Sequence, residues 1–329
     1  MSDRPDNSQP PEPQSQAPPS LPPVLDVPYL LERSQPLPRR SWFMPAIGGF
    51  VLLVLGSAWV SARSQGAKAF VDAASMMLMM LLLVGMGVLM SMTVRRQRSE
   101  RARLESIEEL VQLRRWPEAV AMLEVLLSQP TRTPWARVQG LVYLATVLAR
   151  FNRFDDAIAV QNHLLEHTNL DPGTMHALRL GRAMAMLRED HLFDADRAIS
   201  ELRRDVSRVA DAMERAAEAE GETQADVPQS AGLALIEIYR DVKTGHPAEA
   251  IEMFDKTVPT LRKQLGHRVS DAYALAARAY DFLGKSDEAQ SHWERATLLS
   301  PAIELQRRYP ELSVMTGKYQ PAAAPAEAA

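Results

Sequence analysis

The chain has no cysteine in 329 residues. Disulfides, thiol nucleophiles and cysteine-ligated zinc are therefore excluded, and the absence is compatible with a reducing compartment. A strong charge of either sign is also lacking. The formal net charge of −4 is too mild to point to nucleic acid, and no basic patch interleaved with aromatics accompanies it. No glycine-rich phosphate loop follows a strand, no strand alternation occurs, and no serine sits in a nucleophile-elbow context. No cofactor is expected. Apolar residues make up 46% of the chain, an ordinary share that is unevenly spread, and this unevenness divides the sequence into four regions.

The first 40 residues hold eleven prolines, with many Ser and Gln and few large apolar side chains. Such a stretch buries too little surface to offset ordering, so 1–41 reads as a disordered tail. Trp42–Ala62 is an uncharged run of 21 residues, long enough as a helix (~31 Å) to cross a hydrocarbon core. Ala73–Thr93 is a second such run. The short connection between them predicts an antiparallel hairpin over 42–94. Arg33, Arg39 and Arg40 precede it, and Arg95, Arg96, Arg98, Arg101 and Arg103 follow. The positive-inside rule then puts both termini in the cytoplasm of a multi-pass inner-membrane protein, with the lipid bilayer as one partner. A cleaved secretory signal ending near Val60-Ser61-Ala62 is the rival reading. Met76, Met77, Met79, Met80, Met86, Met90 and Met92 crowd the second run. Thioethers suit Cu(I), but no intramembrane His, Cys or acid joins them, so they read as flexible apolar filler.

Tyr273, Ala277, Tyr280, Gly284, Ala289, Trp293, Ala296 and Pro301 sit at offsets 0, 4, 7, 11, 16, 20, 23 and 28. Two triplets with a 4-then-3 step mark two helix faces, separated by a glycine and closed by a proline. This unit resembles a tetratricopeptide repeat, a helix–turn–helix that stacks into a solenoid. The alanine of its second helix recurs upstream. Ala119, Ala157 and Ala195 are 38 apart, and Ala250 and Ala289 are 39 apart. Gln161, Arg179, Asp241 and Thr257 depart from the family's apolar preference. The expected fold is all-α: a two-helix transmembrane hairpin followed by an α-solenoid of about five such repeats over 95–311. Asp196–Glu220 lacks Pro and Gly and is expected to lengthen the third unit's second helix to about 25 residues, with Gly221–Pro228 as its return loop. Ile303–Tyr309 is an amphipathic stretch suited to capping the array, and 312–329 is expected to be a disordered tail.

In the resembling family, one face of each first helix lines a groove. Counted from the repeat alanine, those positions are Val142, Thr146 and Arg150, then Leu180, Met184 and Arg188, then Leu235, Tyr239 and Lys243. The last of each trio is basic. The resemblance therefore implies a scaffold that binds other proteins through acidic, apolar peptide segments, without catalysis. Some family members clamp a chaperone's terminal carboxylate with a groove Asn, but Thr146, Met184 and Tyr239 stand at the matching positions. One motif looks enzymatic. His163-Leu164-Leu165-Glu166-His167 matches the H-x-x-E-H of inverted zinc peptidases, in which two imidazoles on one helix face hold zinc beside a Glu base. A third ligand would have to come from a residue such as His176 or His191. Leu164 falls on the expected core face, which puts both histidines on the outside of the repeat. A membrane zinc metallopeptidase and a periplasmic repeat chaperone are the alternative readings.

Overall fold

In the computed structural model the described residues are 25–36, 49, 56, 68–131, 133–220 and 230–319. Among them every regular element is a helix. Most of the expected proline-rich tail, the return loop after Glu220 and residues 320–329 lie outside the described residues. The chain packs as two compact units, Met1–Phe151 and Asn152–Ala329. The first contains α1 (Val27–Arg33), α2 (Lys68–Gln112), α3 (Trp116–Leu127) and α4 (Pro134–Arg150). The second begins with α5 (Phe154–His167), α6 (Pro172–Arg188), α7 (Leu192–Glu220), α8 (Ala231–Thr244) and α9 (Pro247–Leu265). It continues through α10 (Val269–Phe282) and α11 (Ser286–Leu299), then α12 (Ala302–Arg308), a 3-10 turn (Pro310–Leu312) and α13 (Ser313–Tyr319).

Helix starts follow local chemistry. Proline occupies the first turn of α1, α3, α4, α6 and α9, where its missing N–H costs nothing. Asp26, Asp171 and Ser230 cap α1, α6 and α8 by accepting from Tyr29, Thr174 and Leu233 backbone N–H groups.

Five turns repeat one geometry. Each joins two consecutive helices through a left-handed residue: Arg114 (φ 58°), Asn152 (58°), Asp190 (61°), Gly245 (79°) and Gly284 (73°). At four of these turns the next residue's N–H bonds to the carbonyl five residues back: Arg115 to Leu110, His191 to Met186, His246 to Asp241 and Lys285 to Tyr280, at 2.8–3.0 Å. This backbone reversal satisfies carbonyls that the ending helix leaves open. The repeat alanine follows five residues after each left-handed residue. Ala119, Ala157, Ala195, Ala250 and Ala289 donate to the carbonyls of Arg115, Arg153, His191, His246 and Lys285. All five alanines are fully buried, so the second helix sits where a longer side chain would hold it off.

Within the second unit each first helix packs on its own second helix and on the next first helix. Thus α6 meets α7 and α8, and α8 meets α9 and α10. In the first unit, α2 likewise meets α3 and α4. The result is all-α and solenoid-like, because each helix pair buries its apolar face against its neighbour. The four polar departures are accommodated locally. Arg179 pairs with Asp205, Asp241 accepts from Arg240 at 2.6 Å, Thr257 Oγ1 donates to the Met253 carbonyl, and the Gln161 amide nitrogen lies in the space left by Gly181. As expected, α7 outruns its partner, at 29 residues.

The membrane expectation is corrected. Among the described residues no helix is long and apolar enough to cross a membrane. Of the first expected span, Trp42–Ala62, only residues 49 and 56 are described. The second does not form a separate span. Residues 73–93 belong to the 45-residue α2, which runs unbroken through Arg95–Arg103 to Gln112. The multi-pass location with two cytoplasmic termini is set aside on this finding.

Residues at both margins of the expected tails are helical. Leu25, Val27 and Leu30 of the N-terminal stretch are buried. Thr131 Oγ1 donates to the Ser34 carbonyl at 2.9 Å, and Arg137 Nε donates to Ser34 Oγ at 3.2 Å. Leu312 and Met315, at the start of the expected C-terminal tail, are also buried.

Candidate functional site

The residues after Pro301 fold onto the inner side of the second unit, the side formed by α6, α8 and α10. Pro301 stops α11 from continuing, and Pro310 separates two helices of seven residues each. Leu305, Tyr309, Leu312 and Met315 are the apolar contacts of this segment and belong to the same core cluster as α8 and α10.

Polar groups fix its register. The Arg188 guanidinium donates to the carbonyls of Arg307, at 3.0 Å, and of Arg308. These carbonyls lie in the last turn of α12, where a cation is favoured by both hydrogen bonding and the helix dipole. Tyr239 Oη donates to the Glu311 carboxylate at 3.1 Å, and its ring meets Tyr309 edge-on at 4.9 Å. Lys243 Nζ lies 2.7 Å from Asp190 and 3.4 Å from Glu311. On α10, Asp271 has no exposed surface and accepts from Arg308 at 2.8 Å and from Tyr309 Oη at 3.3 Å. Asp281 accepts from Lys318 at 2.6 Å, Tyr319 Oη at 2.8 Å and Arg278 at 2.7 Å.

Burial pushes the Asp271 carboxyl above its ordinary value, against the pull of Arg308. It also pushes the Tyr239 and Tyr309 phenols up, so both remain neutral donors. At Asp281 burial again acts upward, but the hydrogen bonds from Lys318 and Tyr319 outweigh it and hold the carboxyl below its ordinary value.

The nine groove positions read from the sequence divide into three groups. Val142, Thr146 and Arg150 belong to the first unit. Thr146 is exposed and bonds its own helix at the Val142 carbonyl, and Arg150 stacks over Trp116 at 5.5 Å. Leu180, Met184 and Leu235 pack into the core cluster of the second unit, and Leu180 fills the space above Gly232 on α8. Arg188, Tyr239 and Lys243 converge on Arg307–Glu311. Sequence reading missed Arg278, which the same count from Ala289 reaches, and Asp271 and Asp281, which that count does not reach. The signal for Asp271 is a single charged residue in the otherwise uncharged, alanine-rich Val269–Ala277. Glu311 was missed because it lies just beyond Ile303–Tyr309, the stretch expected to cap the array.

The H-x-x-E-H residues lie on the outer side of α5. Leu164 is in the core, Glu166 and His167 are exposed, and the His163 and His167 rings stack at 4.7 Å. Among the described residues no three His, Cys, Asp or Glu side chains are grouped to hold a metal ion. His176 bonds Ser230 Oγ at 3.1 Å instead. It lines a cavity of about 630 Å3 beside the extended part of α7, with Met175, Arg179, Asp205 and Gln264. No family model, curated protein or solved structure matches this chain.

Proposed function

We propose that the chain is a protein–protein interaction scaffold built from tetratricopeptide-like helix pairs, with the inner side of α6, α8 and α10 as its peptide seat. One observation carries the reading. Side chains from three successive first helices, Arg188, Tyr239 with Lys243, and Asp271, grip a single continuous peptide segment. Arg188 reads main-chain carbonyls at a helix end, which any sequence presents. Lys243 and Tyr239 read a carboxylate, and the apolar cluster around Tyr239 reads aromatic and aliphatic side chains. The seat therefore suits a short helix followed by an acid and apolar anchors. It binds and positions, and no bond-making step is assigned to it.

A pair of peptides tests the reading. They share an amphipathic helix and differ only in Glu or Lys at the position that would meet Lys243. The unmodified chain is expected to prefer the Glu peptide by roughly tenfold, and Lys243→Glu to reverse that preference. The ratio of the two affinities is the quantity to read, because anything else competing for the seat affects both peptides equally. A preference unchanged by Lys243→Glu would contradict the scaffold reading.

A further inference from the structure

Building on that reading, we infer that Ala302–Tyr319 is an occupant built into the seat, which keeps it closed until a segment of matching chemistry displaces it. Its reach sets it apart from a simple cap. A cap for the last helix pair needs only α10 and α11. This segment also meets Tyr239 and Lys243 one pair back and Arg188 two pairs back.

Its own structure is weak. The two helices have seven residues each and the turn between them has three, well short of the roughly 12–15 residues that an isolated helix needs. The segment is therefore ordered by its seat. It leaves α11 through Ser300–Pro301, so α5–α11 all precede it in the chain. It is held by Leu305, Tyr309, Leu312 and Met315 in the core cluster and by charged or hydroxyl pairs, several of them reaching solvent. The side chain of Lys318 is 48% exposed, and those of Glu311 and Arg308 are each 25% exposed.

The occupant also specifies the ligand. Taking Tyr309 as the origin, the seat reads a cation one residue before (Arg308 on Asp271), an acid two after (Glu311 on Lys243), and apolar side chains three and six after (Leu312 and Met315). The displacing partner is thus a protein segment in which a short helix ends at a basic–aromatic pair and continues into an acid and a leucine-like anchor. Tethering sets the threshold for exchange. A segment attached by a short linker acts at an effective concentration on the order of millimolar. A free peptide of equal intrinsic affinity at about 1 μM is then outcompeted roughly a thousandfold. Weakening the tethered copy alone should remove that barrier.

The test uses a fluorescent peptide with the sequence of residues 302–319 and the full chain, read by anisotropy. Glu311→Lys sets a like charge against Lys243 in the tethered copy only. The peptide is expected to bind this variant at least 100-fold more tightly than the unmodified chain. Adding Lys243→Glu to Glu311→Lys restores the tethered pair and should close the seat again. Hydrogen exchange of residues 302–319 is followed alongside. Equal, tight binding by the unmodified chain and the variant would overturn the occlusion and leave the seat standing. No binding by either, with 302–319 exchanging freely in the variant, would overturn both the occlusion and the seat. No binding with 302–319 still protected would show that Glu311 does not hold the segment, and would also overturn the inference. If Glu311→Lys does not fold, Glu311→Gln removes the charge at nearly constant shape. A gain of about tenfold is then expected, and no gain counts against the inference.

Discussion

Each compact unit holds a short terminal helix by an arginine at its C-terminal end, but the two seats differ in kind. In the first unit Arg137 donates to the Leu31 carbonyl and Ser34 Oγ at the end of α1. In the second, Arg188 donates to the Arg307 and Arg308 carbonyls at the end of α12. The same physics operates in both places, since a helix end leaves carbonyls unpaired and carries partial negative charge. Around α1 the Thr131 hydroxyl also donates to the Ser34 carbonyl, and Val27 and Leu30 are buried apolar side chains. Around α12 and α13 the partners are ionised: Asp271 with Arg308, Lys243 with Glu311, and Asp281 with Lys318. A seat in which a single cation meets a carbonyl and a hydroxyl beside apolar contacts responds little to charge on the segment it holds. An ionic seat adds register and selectivity, at the cost of a strong response to charge and pH.

The largest expected break in this comparison is Asp271→Ala. It leaves Arg308 and the Tyr309 hydroxyl without their buried acceptor and should cost about 3 kcal/mol in urea unfolding, at the low end for broken buried pairs because Arg308 is partly solvated. Exchange of residues 302–319 should rise while that of 25–36 is unchanged. Arg137→Met is the mirror experiment. It removes a charged donor from neutral acceptors and should cost about 1–3 kcal/mol, with exchange rising over 25–36 and not over 302–319. Loss of protection at both ends from either substitution would contradict independent seats.

Acid should act on the second seat in two opposed steps. The folded value of Asp271 is raised, so its contribution is complete below the ordinary carboxylate value near 3.8 and is lost as pH rises through the raised value. The folded value of Asp281 is lowered, so its contribution is present above about 3.8 and is lost as pH falls through the lowered value. Stability on acidification should therefore gain from Asp271 first and lose from Asp281 later. Carboxyl NMR titration checks the order, and an Asp281 that titrates above Asp271 would contradict it.

The smallest effect concerns the turns, where the two units can also be compared. The second unit has Gly245 and Gly284 at two of its left-handed positions, whereas the first has Arg114, whose Cβ opposes that conformation. Arg114→Gly should raise stability by about 1 kcal/mol, and Gly284→Ala should lower it by a similar amount. Thermal unfolding of the two variants would show both.

The helix pairs were legible because their period is carried by residues with one steric job. Ala119, Ala157, Ala195, Ala250 and Ala289 leave no other choice where two helices touch. The left-handed turns five residues earlier were half legible: Gly245 and Gly284 announce themselves, while Arg114, Asn152 and Asp190 adopt the same backbone under tertiary constraint. Arg188, Tyr239 and Lys243 were singled out by counting from the repeat alanine onto the groove face that the family resemblance implies. Ile303–Tyr309 showed as an amphipathic stretch, but its contacts with Arg188, Tyr239 and Lys243 were not legible, because they are remote in sequence and each helix is only seven residues long. The second expected span, Ala73–Thr93, is a different case. The arginines after this uncharged run were read as the boundary of a span, whereas α2 continues through them as one 45-residue helix.

Hydrogen exchange of the unmodified full chain, resolved to peptides, tests the central claim most directly. If the inner side is a seat with a separable occupant, residues 302–319 should exchange through their own opening, faster than 231–244 and 269–282, which stay protected. If 302–319 exchange only in step with those two helices, the segment is part of the core and the seat is not a binding site.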